Sequence, residues 1–135
     1  MKKFLFASVL LIFCFGVAVF PQEKQPKVIK YFASAYPPAA KAVKATGEVV
    51  VAVKITKDGK VTLAKAESGH PLLRQVSENA AMKWIFSIDK NVEERTVKIT
   101  FAFKIEDEKD KRDKIKFTKP YRLEYISRKS PTIDF

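Results

Sequence analysis

Between Arg95 and Ile105 the chain reads Arg-Thr-Val-Lys-Ile-Thr-Phe-Ala-Phe-Lys-Ile, with its large apolar residues on every second position. Val97, Ile99, Phe101, Phe103 and Ile105 alternate with Lys98, Thr100, Ala102 and Lys104. Successive side chains of an extended chain point to opposite faces, so alternation over this length specifies a half-buried β-strand. It is the last strongly patterned element, and the residues before it must supply its sheet and its covering layer. Its position in that sheet matters for function. At an edge, its outward N–H and C=O groups can recruit another extended peptide.

The preceding residues provide a suitable frame. Tyr36 to Ala45 predicts a short helix, with prolines in its first turn and alanines through its body. Thr46-Gly47 is expected to end it, glycine supplying the left-handed cap. From Glu48 to Thr56, Val49, Val51, Val53 and Ile55 alternate with Val50, Ala52, Lys54 and Thr56. Asp58-Gly59 follows, and a return strand runs from Val61 through Leu63 to about Ala66, so this stretch predicts a hairpin. Ser68-Gly69-His70 forms a turn, and Pro71 opens a second helix. Its apolar stripe is Leu72, Leu73, Val76, Ala80 and Trp84, at helical spacing.

Helix, hairpin, helix, strand describes an α+β domain: a small two-layer sandwich with a three-stranded antiparallel sheet and two helices on one face. The expected core is Val49, Val51, Val53, Ile55, Leu63, Trp84, Phe101 and Phe103. Each contributes roughly 1.5–3 kcal/mol when buried, enough for a small domain to fold alone.

The chain has 135 residues and a formal net charge of +11. Its lysines are scattered over strands and loops, without an arginine-rich run or interleaved aromatics, which argues against nucleic acid as a partner. At the start, Lys2-Lys3 precedes seventeen uncharged residues from Phe4 to Phe20. A basic start and an apolar run mark a secretory signal or a membrane anchor. Gly16 and Ala18 provide a small-x-small pattern, so residues 1–20 are expected to be a cleaved signal, with a retained anchor as the alternative. Cys14, the only cysteine, falls inside this segment. Phe13 before it lacks the small side chain that a lipoprotein signal needs. Residues 21–35 read as a short polar linker, although Val28, Ile29, Tyr31 and Phe32 suggest a segment resting against the domain.

The order of these elements and their local words resemble the TonB C-terminal domain family over residues 36–105. The matching residues are Tyr36 and Pro37, Gly47 with Val49 and Val51, Asp58 and Gly59, Ser68 and Gly69 with His70 to Leu73, and Trp84 and Phe86 after Ala80-Ala81. Each word alone is common, but these five followed by the alternating last strand, six in the family's order, are specific. The resemblance implies a periplasmic protein–protein interaction module and no enzyme. In the family's energy transducers the domain grips the TonB box, a short extended peptide of an outer-membrane transporter, by strand addition to the last strand. The peptide-binding edge expected here is Val97, Lys98, Ile99, Thr100, Phe101, Ala102 and Phe103. An open edge also permits pairing with a second copy.

Two departures from the transducers stand out. Their anchor carries a histidine that couples to an ExbB/ExbD-type motor, and the segment from Phe4 to Phe20 has none. Their long proline-rich spacer is represented here by about fifteen residues, which reach only about 50 Å when fully extended. A soluble envelope adaptor without energy transduction is therefore the alternative reading. No cofactor or metal is expected. His70 is the only histidine and has no nucleophile or carboxylate partner in the pattern, so it is read as a turn residue.

Residues 106–135 lie beyond the resemblance. After the charged run from Glu106 to Asp113, Ile115 and Phe117 and then Tyr121, Leu123 and Tyr125 alternate around Pro120. Proline inside such a run predicts an edge strand or extended arm. Folding back is favoured, because exposing five large apolar side chains is a liability. If this tail pairs beside the last strand, the docking edge is occupied.

Overall fold

The computed structural model describes residues 25–87, 94–106 and 112–128. The expected signal or anchor, with Cys14, lies outside the described residues. Among the described residues no helix is long and apolar enough to cross a membrane.

The elements in order are β1 (Lys27–Lys30), α1 (Pro38–Ala42), β2 (Gly47–Thr56), β3 (Val61–Ala66), α2 (Pro71–Ala81), β4 (Ile85–Ser87), β5 (Glu94–Glu106), β6 (Lys114–Thr118) and β7 (Arg122–Arg128). The fold is α+β as expected, but the sheet has five strands in the order β3-β2-β5-β7-β6 and is mixed, since β7 runs parallel to β5. A separate two-stranded sheet pairs β1 with β4. The expected three-stranded antiparallel sheet is thus only the β3-β2-β5 part of a larger one. The reason lies in the tail. Leu123 and Tyr125 are apolar on one face of β7 and pair in register with Phe101 and Phe103, so inserting β7 beside β5 continues the same buried face. Pro120 lies in the turn before β7 rather than inside a strand, which lets β7 take an internal position.

The inner face of the sheet is built by Val49, Val51, Val53, Ile55, Ile99, Phe101, Phe103, Leu123 and Tyr125, all buried. Helix α2 covers it with Leu73, Ala80 and Ala81, and its small side chains allow close approach. Ser77 shares the buried stripe by donating its hydroxyl to the Leu73 carbonyl at 2.7 Å. Leu72, expected in the stripe, is exposed instead.

Leu63 is also outside the core, half exposed at 50 %. Ile55 pairs with Val61, but Lys54 pairs with Leu63, so one residue of β3 is skipped in the ladder. An extra residue of this kind reverses the faces beyond it. Val61, Ala64 and Ala66 therefore lie toward the inner face, and Leu63 turns outward.

Helix α1 is shorter than expected. Lys44, not Gly47, adopts the left-handed conformation that ends it, with φ 54°. The N–H of Ala45 donates to Ala40 and that of Lys44 to Lys41, the paired bonds of a Schellman cap. Gly47 opens β2 with φ 114°.

Candidate functional site: the edge of the central sheet

Strand β5 runs thirteen residues and is paired with β2 on one side from Glu94, against Thr56, to Phe103, against Gly47. On the other side β7 pairs with it only from Thr100 to Glu106. The expected binding edge is thereby divided. Thr100, Phe101, Ala102 and Phe103 lie beside β7, and the ladder opens where the Thr100 N–H donates to the Tyr121 carbonyl at 2.9 Å. Val97, Lys98 and Ile99 have no strand on that side among the described residues. Backbone groups alternate in direction along a strand, so Thr96 and Lys98 direct theirs to this short open stretch.

The strand occupying the rest of the edge is anchored through both faces. On the inner face the Tyr125 ring stacks on Phe103 with centroids 4.6 Å apart and an interplanar angle of 2°. Phe117 of β6 meets Trp84 edge-on at 6.0 Å, and Tyr121 meets Phe86 at 5.8 Å. On the outer face Glu48, Ala102 and Glu124 share a row across β2, β5 and β7. The small Ala102 side chain leaves room for a charge lattice. Arg122 reaches Glu48 at 2.7 Å and Glu124 at 3.1 Å, while Lys104 lies 3.8 Å from Glu124. The Arg122 side-chain bonds hold the Glu124 carboxyl below its ordinary range. Such half-exposed pairs add little stability individually, but they fix the register.

The segment before α1 closes over the same region. Pro26 accepts a hydrogen bond from the Tyr121 hydroxyl, Phe32 accepts one from Trp84 Nε1 at 3.0 Å, and the Ser34 N–H donates to the Tyr125 hydroxyl at 3.2 Å. Tyr31 stacks on Phe117 at 4.9 Å. The chain on either side of the α/β frame is therefore joined into one clasp along β6 and β7.

A family model described as the Gram-negative bacterial TonB protein C-terminal matches residues 33–105, more than half of the chain. The chain belongs to the TonB C-terminal family. No curated protein matches it closely. The family is one of interaction and transducer domains and points to a Gram-negative envelope setting.

The family's motif residues hold the frame of this TonB-type domain together. Tyr36 is buried, donates its hydroxyl to the Ala45 carbonyl and meets Phe103 edge-on at 5.3 Å. Pro37 precedes the first turn of α1. Asp58 and Gly59 lie in the hairpin loop, where the Gly59 N–H donates to Thr56 and the Thr56 N–H to Lys60. Ser68 and Gly69 lead into α2, and a side chain at Gly69 would meet Val49 and the Glu48 carbonyl. Trp84 and Phe86 are central to the core, both essentially inaccessible. His70 caps α2, its Nδ1 accepting from the Leu72 N–H at 3.2 Å. Among the described residues no three His, Cys, Asp or Glu side chains gather into a metal-binding group.

Burial pushes the Tyr125 hydroxyl up to about 12 and raises those of Tyr36 and Tyr121 for the same reason. A tyrosine in the unfolded chain ionises near pH 10. With the folded value higher, the unfolded chain loses its proton first. The stabilisation is complete below about pH 10 and is lost as pH rises through about 12, a change of about 2–3 kcal/mol for Tyr125. Urea unfolding at pH 8 and pH 11 should show about half of this loss, since pH 11 lies midway between the unfolded and folded values. Tyr125→Phe should flatten the alkaline slope while costing about 1 kcal/mol near neutral pH, because the Ser34 N–H loses its acceptor. That cost should vanish as pH rises through the range where the unaltered protein loses stability. An unchanged slope in that variant would assign the titration to other groups.

Proposed function

We propose that this domain is a protein–protein interaction module of the envelope that binds an extended peptide by strand addition along β5, the TonB box of an outer-membrane transporter being the expected ligand. The observation that carries this reading is the open stretch of β5 from Thr96 to Ile99, beside the point where β7 begins. It continues the line of β7, and a peptide strand entering there would pair with Thr96 and Lys98. Backbone bonds would supply affinity, and alternate side chains would supply selectivity. Reaching Thr100 to Phe103 as well would require β7 to leave.

A second reading, an adaptor without energy transduction, is favoured by the clasp. Pro26, Phe32 and Ser34 are bonded to the domain, so most of the expected linker from 21 to 35 is fold rather than spacer. Little chain then remains between the apolar segment and the domain. Mass spectrometry of the mature N-terminus separates the two readings: cleavage after Ala18 removes an anchor, and an intact Met1 or Lys2 retains it.

The binding reading is tested by titrating the isotope-labelled protein with TonB-box peptides and following amide chemical shifts. The largest changes are expected at Thr96 to Ile99, extending to Phe103 if β7 yields. Changes confined to α1 and α2 would overturn it.

A further inference from the structure

We propose that the outer edge of β6 is a separate acceptor site for an acidic, extended peptide of a partner protein. β6 ends the five-stranded sheet, with β7 on one side and no strand on the other among the described residues. It therefore presents outward backbone donors and acceptors of the kind that strand addition uses. The opposite edge of the sheet is less available, because the Ala66 N–H of β3 is already capped by Glu78 Oε1 of α2 at 2.8 Å.

Charge identifies the occupant. Arg112, Lys114, Lys116 and Lys119 lie in or beside β6, and Asp113 is the one acid among them. Asp113 is engaged within the fold, accepting from the Ser127 hydroxyl at 3.1 Å and the Arg128 N–H at 3.0 Å. Those bonds, with the Arg128 backbone first, lower its carboxyl below the ordinary value. Lysines on an edge strand discourage pairing with an identical basic strand. The same charges favour an acidic one, so a second copy of this edge is a poor occupant and an acidic peptide a good one.

Two recesses give that peptide places for side chains. One, of about 310 Å³, opens beside Phe117 between Pro26, Val28 and Pro120. The other, of about 190 Å³, opens beside Ile115 next to Ala35 and Tyr125. Ile115 and Phe117 lie opposite Tyr125 and Leu123, so they share the inner face and stand two residues apart. Both recesses thus open on the face where alternate side chains of an added strand would point. Ile115 is 48 % exposed, leaving apolar surface there to cover. The partner expected from this arrangement has apolar residues on one face and carboxylates on the other. A nucleic acid would meet the lysines but lacks the regularly spaced backbone N–H groups that pair with the outward carbonyls of an edge strand.

The full chain, isotope-labelled, would be titrated with a synthetic Glu-Val-Asp-Ile-Glu-Val-Asp peptide, with the same peptide carrying Lys in place of its acids, and with oligo(dT). The acidic peptide is expected to shift the amides of Ile115 to Thr118 and of Val28. Lys116→Glu combined with Lys119→Glu should weaken its binding about tenfold. Raising the salt on the unaltered protein should weaken it in the same direction, whether or not that variant folds. Equal binding of the basic peptide, tighter binding of oligo(dT), or no binding at millimolar peptide would overturn the proposal. Shifts at Thr96 to Ile99 with β6 silent would also remove it, while leaving strand addition along β5 intact.

Discussion

Ending the chain at Glu106 is expected to lower the melting temperature by more than about 10 °C or to abolish cooperative unfolding altogether. What remains would correspond closely to the stretch matched by the family model, residues 33–105. It would nevertheless lack one wall of its core. Leu123 and Tyr125 are buried in β7, and Phe117 and Tyr121 pack against Trp84 and Phe86. Burial of Leu123 and Tyr125 alone contributes roughly 1.5–3 kcal/mol each. Their loss also uncovers the Phe101 and Phe103 surfaces on which they rest, and unties the Ser34 and Pro26 bonds of the clasp. Chain entropy returned by the missing strands offsets part of this. The remainder is still large beside a total stability of about 5–15 kcal/mol. Circular dichroism melts of the full and shortened chains check it, with dye binding to exposed apolar surface as a second readout. A shortened chain melting within about 3 °C of the full one would show that the tail is an appendage. The result also bears on function, since a destabilised truncation cannot report cleanly on how open the β5 edge is.

This dependence on the tail shows where sequence reasoning reaches and where it stops. Local patterns identified the hairpin, the proline-started α2 and the alternating β5, because each is specified by periodicity and turn chemistry within a few residues. Alternation says that Val97 to Ile105 is a strand, but it does not say which strand lies beside it or in which direction. The parallel pairing of Thr100 with Arg122 joins residues whose connection passes through β6 and a turn, and no local signal announces it. Leu63 turned outward because one skipped residue in a ladder is invisible in a period-two pattern. Arg122 and Glu124 read as ordinary surface charges, and only the shared row with Glu48 shows that they tie β7 across β5. Phe117 and Tyr121 did carry a usable signal: large apolar residues in a charged tail that needed a surface to cover.

Gly59→Ala is expected to cost about 3–5 kcal/mol, far more than an exposed loop substitution normally does. Gly59 holds φ 81°, a left-handed value that costs an alanine about 1–2 kcal/mol. The larger problem is contact. A Cβ at Gly59 would fall 1.8 Å from the Phe86 carbonyl oxygen and 2.9 Å from its carbon, both backbone atoms that no rotamer change can move. The hairpin loop would have to separate from β4. That separation breaks the bond from the Phe86 N–H to the Gly59 carbonyl at 2.8 Å and the bridge between Lys60 and Ile85. It also disturbs Phe86, which packs against Trp84 and Tyr121 and pairs through β4 with Val28 of β1. Gly47→Ala is the control, because Gly47 has φ 114° but nothing within 4 Å of its would-be Cβ. It should therefore carry the backbone strain alone, about 1–3 kcal/mol. Urea unfolding of both variants measures the difference, which should be about 2 kcal/mol for the lost bond and loosened packing. Equal losses in the two variants would mean that the hairpin loop is not what seats β4, and that the clasp between the segment before α1 and the tail is held by Trp84, Tyr121 and Tyr125 without it.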